Sequence, residues 1–592
     1  MRWVLRLGVV VCLVGLTWSA TAQSLSPMAN GLIVRFKDRP PTASGAVSNA
    51  DTADAGALRA HRALKSAGIG AARVRAVGRA SQHLDFGRRL TGAEAEHLAE
   101  RLRGQADVAW VVPNVRERRL QVVAPDDPYF AATSGFGGQW WLLSATDSAA
   151  AAGRRRGVAG LQTAWTTYGT VREAVTPVAV LDTGVTSHPD LDAHVLTGFD
   201  FCCSSVGYDS DTRPGRDSNP SDTGDWVSEA DKAAYPELYA DCTVEPSSWH
   251  GTSIMGILAA VTDNAEGVAG VNWNGRVVPV RVAGKCGAEV VDIIDGMRWA
   301  AGLQVANSRG GFLAPNPNPV RIINISFGGT GDCTAYQDTI DELLALPKPV
   351  VVVAAAGNEH AGATRPAKCA GVVGVVALNR DGFKSTYSNF GAALQTSGIA
   401  TAGGDPTDLG RWGALGDDGL FTLNNWGLQG PEQPGYSNVY GSSFAAPVVA
   451  GVMSLMLDIN PALTAQQLIQ GLRLSARPHV VSANAGFSAC SSQSPGRCIC
   501  TATTCGAGIL DAPEALRFAL DPGGYQAPNR AAAVIDSREV AAAVALGPDL
   551  APNSVSADGA QPSTGGGGAL GVGWLLALTL ALLVLRTSSR RS

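Results

Sequence analysis

The sequence predicts an α/β protein built on a doubly wound, mainly parallel sheet and preceded by a small α+β unit. Five near-continuous apolar runs point to that sheet: Val178–Asp182, Val277–Val280, Val320–Ile325, Pro349–Ala355 and Val372–Ala377, separated by helical stretches. A strand with one solvated face alternates apolar and polar residues, so runs without alternation belong to a parallel sheet covered on both faces. The chain of 592 residues is also too long for a single core. With 45% hydrophobic and 16% charged residues it is globular, and 70 glycines and 32 prolines imply many turns and long loops. A net charge of -5 carries no footprint of nucleic-acid binding, and no nucleic-acid partner is expected.

Taken in order, the chain opens with Arg2 and Arg6, an apolar run from Leu7 to Trp18, and Ala20-Thr21-Ala22. This is the pattern of a secretory signal peptide over residues 1–22. Cys12 leaves with it, and an even set of ten cysteines remains in an exported chain, so disulfides are expected and a zinc site is not. From Asn30 to about Leu120 lies the α+β unit: a strand over Gly31–Lys37, a helix over Thr91–Arg103 with a Thr-x-x-Glu start, and a strand over Val108–Val112. Pro125-Asp-Asp-Pro128 marks a rigid boundary. Beyond about Asp521 the chain becomes a linker rich in Ala, Pro and Gly. It ends in Gly565–Gly568, an apolar stretch from Ala569 to Leu585 just long enough to span a bilayer, and Arg586, Arg590 and Arg591.

Three segments set a reactive residue beside glycine: Val180-Leu-Asp182-Thr-Gly184, Ser248-Trp-His250-Gly-Thr-Ser253 and Tyr440-Gly-Ser-Ser443-Phe-Ala-Ala-Pro447. Acyl transfer needs a hydroxyl nucleophile, a base within hydrogen-bond reach, and an acid that fixes the tautomer of the base. Ser443, His250 and Asp182 supply one of each. Singly these residues read as turn or capping positions. Together, each in its glycine context, they read as a triad.

These segments resemble those of the subtilase serine proteases, in the same Asp, His, Ser order, and the resemblance covers roughly residues 125–520. It is supported by Ala355-Ala-Gly-Asn358, which resembles the segment carrying the oxyanion donor, and by Ser326-Phe327-Gly328-Gly329, which resembles the segment that pairs with substrate and walls the S1 pocket. Two positions depart from the family pattern: Ser253 replaces a second histidine, and Ser442 replaces threonine. The resemblance implies a subtilisin-like sheet, a secreted endopeptidase working through an acyl-enzyme, protein or peptide substrates, and a monomer. It also implies that residues 23–124 form an inhibitory propeptide, that 125–520 are the peptidase domain, that 521–564 are a linker, and that 565–592 form a sorting tail. That tail is similar to the glycine-glycine signals of Gram-negative exported proteins, which an intramembrane protease processes.

An acidic stretch between Asp182 and His250, with Asp209, Asp217, Asp222 and Asp225, suits a hard cation such as calcium. Subtilases often bind calcium, and Gln139 and Asp190 match a site used by many of them, with Asp263 and Asn264 in the neighbouring loop. Bridges Cys242–Cys286 and Cys333–Cys369 resemble those of related secreted enzymes. The pairing of Cys202, Cys203, Cys490, Cys498, Cys500 and Cys505 stays open. An inert binding module of this fold would lack a triad or oxyanion residue, and none is lacking. An esterase is disfavoured by the extended cleft that Ser326–Gly329 would wall.

Overall fold

The computed structural model describes residues 29–541, except 38–48, 78–80, 116–122, 132–137, 148–153, 171–174, 204–207, 211–214, 308–309, 406–415, 485 and 536–539. The expected signal peptide and sorting tail, and the linker beyond residue 541, lie outside the described residues. The chain divides into two compact units, one up to Leu120 and one from Gln121.

In the first unit, strands β1 (Ala29–Phe36), β2 (Arg73–Val77), β3 (Ser81–Asp85) and β4 (Val108–Val115) form an antiparallel sheet in the order β2-β3-β1-β4. Alternate residues Leu32, Val34 and Phe36 of β1 enter a core with residues of two helices, α1 (Asn49–Ser66) and α2 (Gly92–Arg103). Thr91 caps α2 by accepting the Glu94 N–H at 3.2 Å. The Glu94 carboxylate pairs with Arg88, so the cap is one-sided.

The second unit holds a seven-stranded parallel sheet built from β5 (Val178–Asp182), β6 (Phe199–Asp200), β7 (Val277–Arg281), β8 (Ile322–Ile325), β9 (Val351–Ala355), β10 (Val373–Leu378) and β11 (Ile399–Ala402). Its order is β11-β10-β9-β8-β5-β7-β6. Val178 and Val180 of β5 enter one core, while Ala179 and Leu181 enter the other. That two-sided burial is the physical reason the strand sequences do not alternate. One core contains helices α3 (His250–Ala259) and α4 (Ser442–Ile459); the other contains α5 (Val290–Ala300) and α6 (Thr334–Leu344). Helix α4 is buried along almost its whole length, as expected of a helix that is apolar all round. An antiparallel hairpin, β12 (Leu420–Asn425) and β13 (Pro434–Val439), lies outside the main sheet.

From β5 the chain builds β6 and β7 on one side, then crosses to β8 and continues outward through β11. The reversal falls between β5 and β8, whose register pairs Val178 with Ile322 and Leu181 with Ile325. A sheet of this kind opens a crevice beyond the carboxyl ends of its strands at that point.

Candidate active site

Asp182 is the last residue of β5, Ser326 follows β8, and Asn358 lies just beyond β9. His250 opens α3, and Ser443 is the second residue of α4. The fold therefore brings the separate sequence segments to the crevice.

Asp182 is fully buried, and its Oδ1 accepts the Thr183 N–H and lies 2.8 Å from His250 Nδ1. Trp249, just before the histidine, has left-handed backbone (φ 52°). The cost of that conformation is offset by a buried indole whose N–H donates to the Gly427 carbonyl at 2.7 Å. The imidazole packs against two aromatic rings, with centroids 5.8 Å from Phe327 and 5.1 Å from Phe444. Burial disfavours the imidazolium, but the Asp182 carboxylate, then Asp225 and Asp222, outweigh it and hold the His250 pKa above its ordinary value. Gly251 is required here: a Cβ would meet the Gly184 carbonyl oxygen at 2.2 Å and Asp182 Cβ at 3.2 Å.

Ser443 and Ser326 hold each other. The Ser443 hydroxyl donates to the Ser326 carbonyl at 3.2 Å, and the Ser326 hydroxyl donates to the Ser443 carbonyl at 2.9 Å. The second bond depends on Pro447. In a regular helix the Ser443 carbonyl would accept the N–H four residues on, but proline has none, so the carbonyl is left for Ser326. Ser442 serves the neighbouring asparagine: its N–H and its hydroxyl both lie 2.9 Å from Asn358 Oδ1. With the oxygen so occupied, the Asn358 amide nitrogen remains the side chain's hydrogen-bond donor. The serine that departs from the family threonine keeps the hydroxyl this contact needs. Ser253, at the other departure, donates to the Leu423 carbonyl at 2.7 Å and faces the hairpin.

Beyond Ser326 and Phe327, Gly329 and Arg365 exchange backbone hydrogen bonds of 3.0 Å, and a Cβ on Gly328 would meet Thr364 Oγ1 at 2.2 Å. Cys242 bonds to Cys286 and Cys333 to Cys369, with Cα separations of 5.6 and 5.5 Å. The remaining bridges are Cys202–Cys203, Cys490–Cys498 and Cys500–Cys505.

The residues expected to hold calcium, in the acidic insert and at Gln139 and Asp190, are engaged by protein partners. Asp190 accepts the Val268 N–H and the Asn264 amide, and the Gln139 amide exchanges 2.7 Å hydrogen bonds with the Ala269 backbone. Asp209 pairs with Arg281 at 3.0 Å, and Asp217 accepts the Asn219 N–H. Asp222 and Asp225 accept from Thr183, Gly224 and Ser248. These oxygens face N–H and O–H donors, whereas calcium needs six to eight oxygens converging on one point. Among the described residues, the side-chain clusters with metal-ligating potential consist of disulfide cysteines, with Asp209 beside one pair. The donor set does not fit calcium, so calcium binding, common in subtilases, is not assigned to these residues.

Residues 174–493 match the model of the subtilase family. The chain is 34% identical over 496 residues to an extracellular protease of Xanthomonas campestris pv. campestris, covering 83% of this chain and 73% of that one. It is 31% identical over 457 residues to an extracellular basic protease of Dichelobacter nodosus, covering 76% and 67%. Among solved structures, a protease of Pseudoalteromonas arctica PAMC 21717 matches with a TM-score of 0.53 and 34% identity, over 67% of this chain and 99% of its own. The chain belongs to the subtilase family and is a subtilisin-like serine protease.

Proposed function

We propose that the protein is a secreted endopeptidase that cleaves peptide bonds through an acyl-enzyme, with Ser443 as nucleophile, His250 as base and then acid, and Asp182 orienting His250. The observation that carries this reading is the 2.8 Å bond between Asp182 and His250 Nδ1, which leaves Nε2 as the nitrogen able to take a proton. For attack, the Ser443 hydroxyl turns from the Ser326 carbonyl to His250 Nε2, and its oxygen adds to the peptide carbonyl. The developing oxyanion takes hydrogen bonds from the Asn358 amide and the Ser443 N–H. His250 then delivers its proton to the leaving amine, and water repeats the sequence to release the acid. Ser326–Gly329 supplies an extended wall for a substrate backbone, which favours proteins and peptides over small esters.

The first unit is an inhibitory propeptide removed by the enzyme itself, and the glycine-rich apolar tail is a sorting signal processed in the membrane. Export is supported by the apolar N-terminus and by relatives described as extracellular. The test is a purified Ser443→Ala protein. It should leave casein intact and retain residues 23–124, while casein hydrolysis near the wild-type rate would overturn the assignment.

A further inference from the structure

Two carboxylates in the insert between Asp182 and His250 lie behind the reacting pair. Asp222 is buried beside β5: its N–H donates to the Val185 carbonyl, and the Val185 N–H donates to the Pro220 carbonyl, both at 3.0 Å. Gly184 makes this approach possible, because a Cβ there would lie 2.6 Å from the Pro220 oxygen and 2.9 Å from the Asp222 nitrogen. Asp225 is part-buried next to the segment that leads into α3. Reciprocal 3.0 Å hydrogen bonds between Val227 and Glu245 hold the two ends of that segment together.

Each carboxylate reaches the start of α3 through one hydroxyl. Thr183 Oγ1 accepts the Gly251 N–H at 3.0 Å and donates to Asp222 Oδ2 at 2.6 Å. Ser248 Oγ accepts the His250 N–H at 3.3 Å and donates to Asp225 Oδ2 at 2.6 Å, while the Ser248 N–H donates to Asp225 Oδ1 at 2.6 Å. The first N–H groups of a helix have no partner within it. Here the first two are held by hydroxyls whose own protons are committed to a carboxylate, which fixes the direction of both relays.

We propose that Asp222 and Asp225 are positioning residues for peptide hydrolysis, clamping both sides of His250 through Thr183 and Ser248 so that its ring stays aligned between Asp182 and Ser443. The inference rests on the function proposed above. The same carboxylates act on His250 through space and favour its imidazolium. The charged groups facing this region are Asp182 from β5, Asp222 and Asp225 from the insert, Arg281 from β7 opposite Asp222, and Glu245 beside Asp225.

The experiment compares wild type, Asp222→Asn, Asp225→Asn and Ser248→Ala as processed enzymes, with purified Ser443→Ala as the control, on a soluble peptide substrate across the pH range. Thermal melts provide the measure of folding. Both Asp→Asn variants should lose between about tenfold and a hundredfold in kcat with KM little changed, as expected for a displaced base. The acid limb of kcat/KM should move to lower pH in both. Ser248→Ala, which breaks a relay but keeps the charge, should lower kcat and leave the acid limb in place. If an Asp variant does not fold, Ser248→Ala decides. Unchanged kcat in folded Ser248→Ala or folded Asp225→Asn overturns the clamp, as does a loss confined to KM. Activity surviving in Ser443→Ala would instead overturn the proposed function on which the clamp rests.

Discussion

The Asp182 carboxylate and the His250 imidazole, separated by 67 intervening residues, meet at 2.8 Å because one ends a buried strand and the other begins the helix packed against it. The bond fixes the tautomer of the neutral ring and leaves Nε2 as its unprotonated nitrogen.

The first prediction concerns pH. Burial alone would lower the His250 pKa, but Asp182, Asp225 and Asp222 raise it above the ordinary 6.5. A base works unprotonated, so the acid limb of kcat/KM should lie above that value, with activity falling as pH drops through it. Asp182→Asn removes the largest of these attractions. It should shift the limb downward and lower kcat by about ten-thousandfold, the loss the equivalent change causes in other triad proteases. A pH–rate profile of both enzymes checks this, and an unmoved limb would count against it.

The second prediction concerns Asn358. With Oδ1 engaged by Ser442, its amide nitrogen remains the side chain's donor, the group proposed to meet the oxyanion. Asn358→Leu should reduce kcat by about a hundred- to a thousandfold with little change in KM, the range known for the matching donor in subtilisin itself. Steady-state kinetics on a chromogenic peptide would show it; a loss in KM alone would assign Asn358 to substrate binding instead.

The third concerns Gly251. A methyl group here would press on the Gly184 carbonyl and on Asp182, lifting the start of the helix. Gly251→Ala should therefore lower kcat by about a hundredfold, the scale on which a displacement near 1 Å acts. Retained activity in the folded variant would show that the helix start tolerates the shift.

A fourth prediction tests stability. Lys384 is fully buried, and its ammonium donates to the carbonyls of Ser385, Thr386 and Ser388 at 2.8, 3.1 and 2.7 Å. Lys384→Met strands these acceptors and should cost about 3 kcal/mol or more in denaturant unfolding. A change below about 1 kcal/mol would contradict that role.

How far the sequence could be read follows from what each residue depends on. The central strands were legible because burial on both faces writes itself into every position, as in Val178–Asp182. Short edge strands such as Phe199–Asp200 and Ile399–Ala402 carry no such run. Asp182, His250, Ser443 and Asn358 stand out through their glycine neighbours, which mark places where backbones approach closely. What composition could not supply was the partner of each polar group. The acidic insert read as a cation site because carboxylates are visible in sequence, while the N–H and O–H donors that occupy Asp209, Asp217, Asp222 and Asp225 come from distant segments. The service of Ser442 to Asn358, and the carbonyl that Pro447 frees for Ser326, were likewise invisible, since both arise from contacts between segments far apart in sequence.

The most direct test of the central claim is mass spectrometry of the processed enzyme after reaction with a fluorophosphonate, which labels an activated serine. A single adduct on the peptide containing Ser443, formed in step with loss of casein hydrolysis and absent from Ser443→Ala, is the predicted result. Labelling of a different residue, or full inhibition without modification of Ser443, would contradict it.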